Sequence, residues 1–199
     1  MAYSETSFIG VFYTEYLGLQ RFIFKGGQKR SSGYFPFMLY ELTFYKRPES
    51  DLASITEILP LQINKQLNNH PIYCTAAFFF ADIIRNVLRA EQKDQAMFDF
   101  LVNMIQLLDT AEQDQLSELT LRVLIKLCEK TGILPQCEAK VKLHFIPEEG
   151  LFTDLIFAEK RTFSGEGVLL IQAILMDQKT DGFGNLSKRE ALNILMVYF

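Results

Sequence analysis

Near Pro60 the apolar residues of this chain change their spacing, and that change limits the fold more than any other feature. Before Pro60 they alternate. In LGLQRFIFK, Phe22 and Phe24 fall on one face, and Arg21, Ile23 and Lys25 on the other. Period-two alternation is the pattern of a half-buried strand. Residues 6–14, 18–26, 36–46 and 52–58 all read as strands, and Pro48 in KRPES breaks the last two apart. Four strands within the first sixty residues predict a small antiparallel barrel. After Pro60 the spacing becomes three and four. Residues 72–89 repeat at Ala76, Phe79, Phe80, Ile83, Ile84, Val87 and Leu88. Residues 94–108 and 113–130 continue the rhythm, and Gly132 stops the third segment. Three helices joined by short polar connectors predict a bundle.

The texture changes again after Pro135. KVKLHFIPEEGLFTDLIF predicts two short strands about a Pro-Glu-Glu-Gly turn, and SGEGVLLIQAILMD a buried helix. Residues 187–199 predict a last helix, with Ser187 as N-cap and Glu190 completing a capping box. No internal repeat or low-complexity tract is present.

Charge reverses locally between Tyr16 and Tyr40. That stretch holds Arg21, Lys25, Lys29 and Arg30 and no acidic residue, in a chain of net charge −4. LGLQRFIFK, the Gly- and Ser-rich GGQKRSSG and PFMLYELTFYK together read as a β-hairpin with a basic tip and a basic strand face among aromatics. Met38, Tyr40, Leu42 and Phe44 fall on one face of its second strand. Cations neutralise phosphates and rings stack on unpaired bases, so a single-strand binding surface is composed in this way. The plain alternative is that the four cations keep the hairpin soluble and guard a sheet edge.

An isoelectric point near 5.3 excludes indiscriminate coating of nucleic acid, so such contact must be a patch. Three cysteines, Cys74, Cys128 and Cys137, suit a reducing compartment rather than a disulfide scaffold. Met1 leads into polar AYSETS, which is no signal peptide, and the longest apolar runs are too short to span a bilayer. A cytoplasmic location without membrane contact is therefore expected.

Catalytic and metal motifs fail on their spacing. DQKTDGFGNLSK places Asp177, Asp181 and Gly182 as an EF-hand would, but its twelfth position is Lys188 and its third Lys179, so calcium is rejected. Cys137 has no Cys or His at zinc spacing. Cys74 and Cys128 fall on apolar helix faces and read as small core residues. His70 and His144 stand alone, and no nucleophile has a recognisable partner, so neither an enzyme nor a cofactor is expected.

The order of short motifs carries a resemblance. Ser4-Glu5-Thr6-Ser7, Tyr13-Thr14-Glu15, Gly18-Leu19, Phe24-Lys25-Gly26, Gly33 and Pro36-Phe37 follow one another as in the bacterial recombination mediator family RecO. Leu121-Arg122-Val123-Leu124 through Leu127 to Gly132, then Pro135 and Cys137, resembles the segment before that family's zinc ribbon. The resemblance is dense over 3–58 and thin after 140. It implies an α+β chain with an N-terminal OB-fold-like antiparallel barrel, a helical bundle domain and a small inserted β-ribbon. The expected divisions are 1–59 for the barrel, 60–135 for the helical domain, 136–162 for a zinc-less ribbon and 163–199 for helices packing back on the helical domain.

The resemblance further implies a DNA repair protein that binds single- and double-stranded DNA and anneals complementary strands. With RecR it would help load RecA onto single strands coated by the single-strand binding protein SSB, whose acidic tail it would also bind. Arg21, Lys25, Lys29 and Arg30 carry over as the DNA-binding residues. Arg122 and Lys126, one turn apart beside an apolar stripe, are the candidates for the SSB tail. Three departures qualify the likeness. The ribbon's four cysteines reduce to Cys137, so zinc is not expected. The hairpin tip is short. Both ends read as cut, with the barrel's fifth strand expected before Tyr3. The competing expectation is a protein-interaction adaptor that docks the SSB tail and RecR and has little DNA affinity of its own.

Overall fold

In the computed structural model the described residues are 2–4, 7–25, 34–50, 52–62, 64–88 and 93–199. Strands β1 (Ala2–Ser4), β2 (Ser7–Thr14), β3 (Gly18–Lys25), β4 (Tyr40–Tyr45) and β5 (Ala53–Pro60) form one sheet in the order β1-β2-β3-β5-β4. The four strands expected from alternation are present. The count was one short, because β1 covers three residues and alternation has no signal at that length.

The hairpin expectation is corrected. β3 pairs antiparallel with β2 from Thr14↔Gly18 to Ser7↔Lys25, and parallel with β5 from Phe22↔Ala53 to Phe24↔Ile55. β4 pairs with β5, which therefore lies between β3 and β4. Alternation states that a segment is a strand but not which strand it joins, and parallel pairing needs a long crossover that no local motif announces. Among the described residues β1 and β4 do not pair with each other, so the sheet stays open where a closed barrel was expected.

One face of the sheet is built from rings. Phe8 stacks on Phe24 at 4.4 Å, and Phe12 meets Phe22 edge-on at 5.7 Å. Phe44 lies 5.0 Å from Phe22, and Tyr34 5.7 Å from Phe24. Burial of ring area and the offset or edge-on geometries together hold this cluster.

Helix α1 (Pro71–Val87) buries Tyr73, Ala77, Phe80, Ile83 and Ile84, and α2 (Gln95–Thr110) buries Met97, Leu101, Met104, Ile105 and Leu108. Phe80 stacks on Phe37 of the β3–β4 connection, with centroids 5.9 Å apart. The Asp109 carboxylate of α2 accepts from the backbone N–H groups of Lys65, Gln66 and Leu67 at 2.9–3.0 Å, which fixes the entry to α1. These ties place α1 and α2 in one compact unit with the sheet, residues 1–110. Residues 111–199 form the other. The divisions expected at 59, 135 and 162 do not coincide with this boundary.

The second unit opens with α3 (Leu116–Thr131), which Gly132 ends in the left-handed region at φ 77° as its position predicted. Strands β6 (His144–Ile146) and β7 (Leu151–Thr153) flank a single 3-10 turn at Pro147–Glu149, and β8 (Phe163–Ser164) pairs on the other side of β6. Helices α4 (Glu166–Leu175) and α5 (Asn185–Tyr198) follow. Gln172 of α4 is fully buried and clamps this small sheet. Its amide accepts from Lys142 N at 2.8 Å and donates to Lys142 O at 2.9 Å. Lys142 also pairs with Asp154 at 3.2 Å.

Ser187 does not cap α5, which starts two residues earlier, after Gly184. It is buried and donates to Glu166 at the start of α4. Glu190 accepts from Gly167 N at 3.3 Å, so it caps α4 rather than its own helix. The capping-box spacing is local, whereas the partner that satisfies it here comes from packing. Among the described residues no helix is long and apolar enough to cross a membrane.

Candidate nucleic-acid interface

Pairing across the sheet sorts its residues between two faces. The aromatic cluster fills one. On the other, register places Ile9, Ile23, Ser54 and Tyr45 in one row across β2, β3, β5 and β4. The next row pairs Val11 with Arg21. Arg21 is exposed, as alternation predicted, and Val11 beside it is 38% exposed. Lys25 lies on the backbone of β3 one alternation beyond Ile23, opposite Ser7. Lys29 and Arg30 lie outside the described residues.

The expected mixture of cations and rings is only partly met. Phe22 and Phe24 are buried on the face opposite Arg21, so the rings of β3 build the core instead of facing a ligand. Two rings share the face of Arg21: Tyr13 of β2, half-buried with its hydroxyl donating to Asp94 O at 3.4 Å, and Tyr45 of β4, which is 60% exposed. Lys46 and Arg47 follow it, exposed, and the Arg47-Pro48-Glu49-Ser50 turn closes with Ser50 N donating to Arg47 O at 3.1 Å. Among the described residues no ion pair engages Arg21, Lys46 or Arg47. Sequence reading singled out Arg21 but missed Tyr45, Lys46 and Arg47, because it treated β3 and β4 as neighbours. The available signal was the Tyr-Lys-Arg run at the end of the strand. At the far end of β3, Tyr16 is also exposed, with Lys93 Nζ 5.2 Å from its ring centroid.

Arg122 and Lys126 do share a helix face, but each has an internal partner. Arg122 Nε donates to Glu118 at 2.9 Å, and Lys126 pairs with Glu129 at 2.6 Å. Glu118 also accepts from the buried Thr180 at 2.6 Å, and that hydrogen bond leads in holding its carboxyl below the usual range, with Arg122 adding to it.

Cys128 and Cys137 are not activated. Burial pushes the Cys128 thiol up to about 12, and burial with Glu138 alongside raises that of Cys137. A nucleophilic or metal-binding cysteine needs the opposite shift. The donors of the small sheet do not fit a zinc site either. Cys137 has no second thiol near it in sequence, and His144 Nδ1 is engaged by Ser164 Oγ at 2.7 Å.

An open sheet with one ring-packed face and Arg21 exposed on the other, where register also places exposed Glu41 and Glu57, followed by helices and a small three-stranded sheet, defines a two-unit α+β protein. The chain matches the family model for the C-terminal part of recombination protein O over residues 69–198. It is also 24% identical over 215 aligned positions to a DNA repair protein RecO from Christiangramia forsetii, covering 100% of this chain and 86% of the relative. The family match spans more than half of the chain, and the chain belongs to the RecO family.

Proposed function

We propose that this protein is a recombination mediator in DNA repair that binds single- and double-stranded DNA through the exposed face of its N-terminal sheet. The observation that carries this reading is the exposed Arg21 in the β3 row, on the face opposite the ring cluster, in a chain of the RecO family. Its sheet is read as an OB-fold whose closing edge is open. Lys25, Lys29 and Arg30 act with Arg21 as phosphate contacts, which hold DNA without reading sequence. On this reading the protein anneals complementary strands and, with RecR, helps load RecA onto SSB-coated single strands in the cytoplasm. It acts by binding and not by catalysis; burial of Cys128 and Cys137 argues against a thiol nucleophile at those two positions.

The acidic isoelectric point favours a second reading, an adaptor that docks the SSB tail through Arg122 and Lys126 and binds DNA weakly. Fluorescence anisotropy with labelled oligonucleotides at two salt concentrations separates the two. On the first reading Arg21→Ala weakens binding equally for all sequences and lowers the salt slope by about one unit. Binding by Arg21→Ala that matches the parent at low salt removes Arg21 from the interface. Absence of salt-dependent binding by the parent leaves the adaptor.

A further inference from the structure

We propose that Tyr45 stacks on an unpaired base, which makes the exposed sheet face selective for single-stranded over fully paired nucleic acid. The inference rests on the DNA-binding reading and adds a substrate class to it. Among the described residues the other aromatics of β2, β3 and β4 are engaged: Phe8, Phe12, Phe22, Phe24, Tyr40 and Phe44 contact one another or Tyr34, and Tyr13 is half-buried with its hydroxyl donating to Asp94 O at 3.4 Å. Tyr16 carries Lys93 on its ring. No described ring or cation packs on Tyr45, although register sets it in one row with Ile23 and Ile9. It therefore offers an open π-face on a sheet, with an apolar row beside it.

The cations nearest it fit the same ligand, while the exposed Glu41 and Glu57 on this face lie farther along β4 and β5. Arg21 lies one row from Ile23 on β3, and Lys46 and Arg47 continue from Tyr45. Two strand spacings separate β3 from β4, about 10 Å. A backbone crossing the sheet would meet cations at both ends of that span, and a base between them would meet the ring. Stacking tolerates every base, because each has a π-face, but a base inside a duplex already has both faces covered. A duplex would reach the cations and leave the ring unused.

The test uses the full chain and three labelled probes: a single strand, the same strand with abasic sites in place of its bases, and a duplex. The unmodified protein should prefer the base-bearing strand to the abasic one by about tenfold, the loss typical of one stacked base. Tyr45→Ala should abolish that preference while binding the abasic strand and the duplex as before. Tyr45→Phe should retain it. Arg21→Ala should weaken all three probes and keep the preference. Equal binding of the base-bearing and abasic strands by the parent, or an unchanged preference in Tyr45→Ala, overturns the stacking role and leaves the DNA-binding reading standing. Failure of the parent to bind any probe overturns both.

Discussion

Gly10 has no room for a side chain. A Cβ built there would lie 2.6 Å from Phe24 Cε2 and 2.8 Å from Phe12 Cε2, inside the rings that fill the face. Both rings belong to the packed cluster, so neither can swing clear without breaking another contact. Gly10→Ala should therefore cost about 1–3 kcal/mol as overpacking, read as a melting temperature lower by roughly 5 °C or more. An unchanged melt would show that the rings yield. At this scale the sequence was informative where alternation alone decides. Arg21 is exposed and Phe22 and Phe24 are buried, as the period of two requires. The exposure of Tyr45 was not legible, because it depends on β5 entering between β3 and β4 and on the register shift at Thr43/Phe44.

Helix α3 shows how elements are joined. Glu118 accepts from Thr180 in the α4–α5 connection and pairs with Arg122 of its own helix, and Lys188 of α5 lies 3.8 Å away. The carboxyl is depressed below its ordinary value of 4.5, chiefly by the Thr180 hydrogen bond. A depressed folded pKa gives stability that is present above about 4.5 and lost as pH falls through the folded value. Melting temperatures of the parent should therefore fall with acid below that point. In Glu118→Gln the fall should be shallower, from a lower starting value at neutral pH. An identical acid slope in both proteins would detach Glu118 from the effect. The loop that supplies Thr180 resembles an EF-hand by letters, and in the fold it contributes a buried hydroxyl to this joint. Local spacing revealed the helices and the β6–β7 pair, since periodicity and a Pro-Glu-Glu-Gly turn are local. It could not reveal β8, the clamp by Gln172 or the partner of Glu190, all of which depend on segments distant in the chain.

The molecule divides where its sequence texture does not. The texture breaks at Pro60, between strands and helices, while the compact units meet at Thr110 and Ala111. The family match from residue 69 to 198 crosses that boundary and takes in α1 and α2 of the first unit with nearly all of the second. A fragment of residues 1–110 should keep slow hydrogen exchange in α1, whereas a fragment of residues 1–59 should aggregate. Fast exchange throughout 1–110 would place the cooperative boundary elsewhere. Phe37 explains the difference. It stands at φ 60°, a backbone region that aromatic side chains rarely adopt, with its ring against Phe80. A gene cut at the visible border between strands and helices would pull Phe80 out from under that ring. Whoever dissects this protein by the texture of its sequence would cut through a joint and take it for a gap.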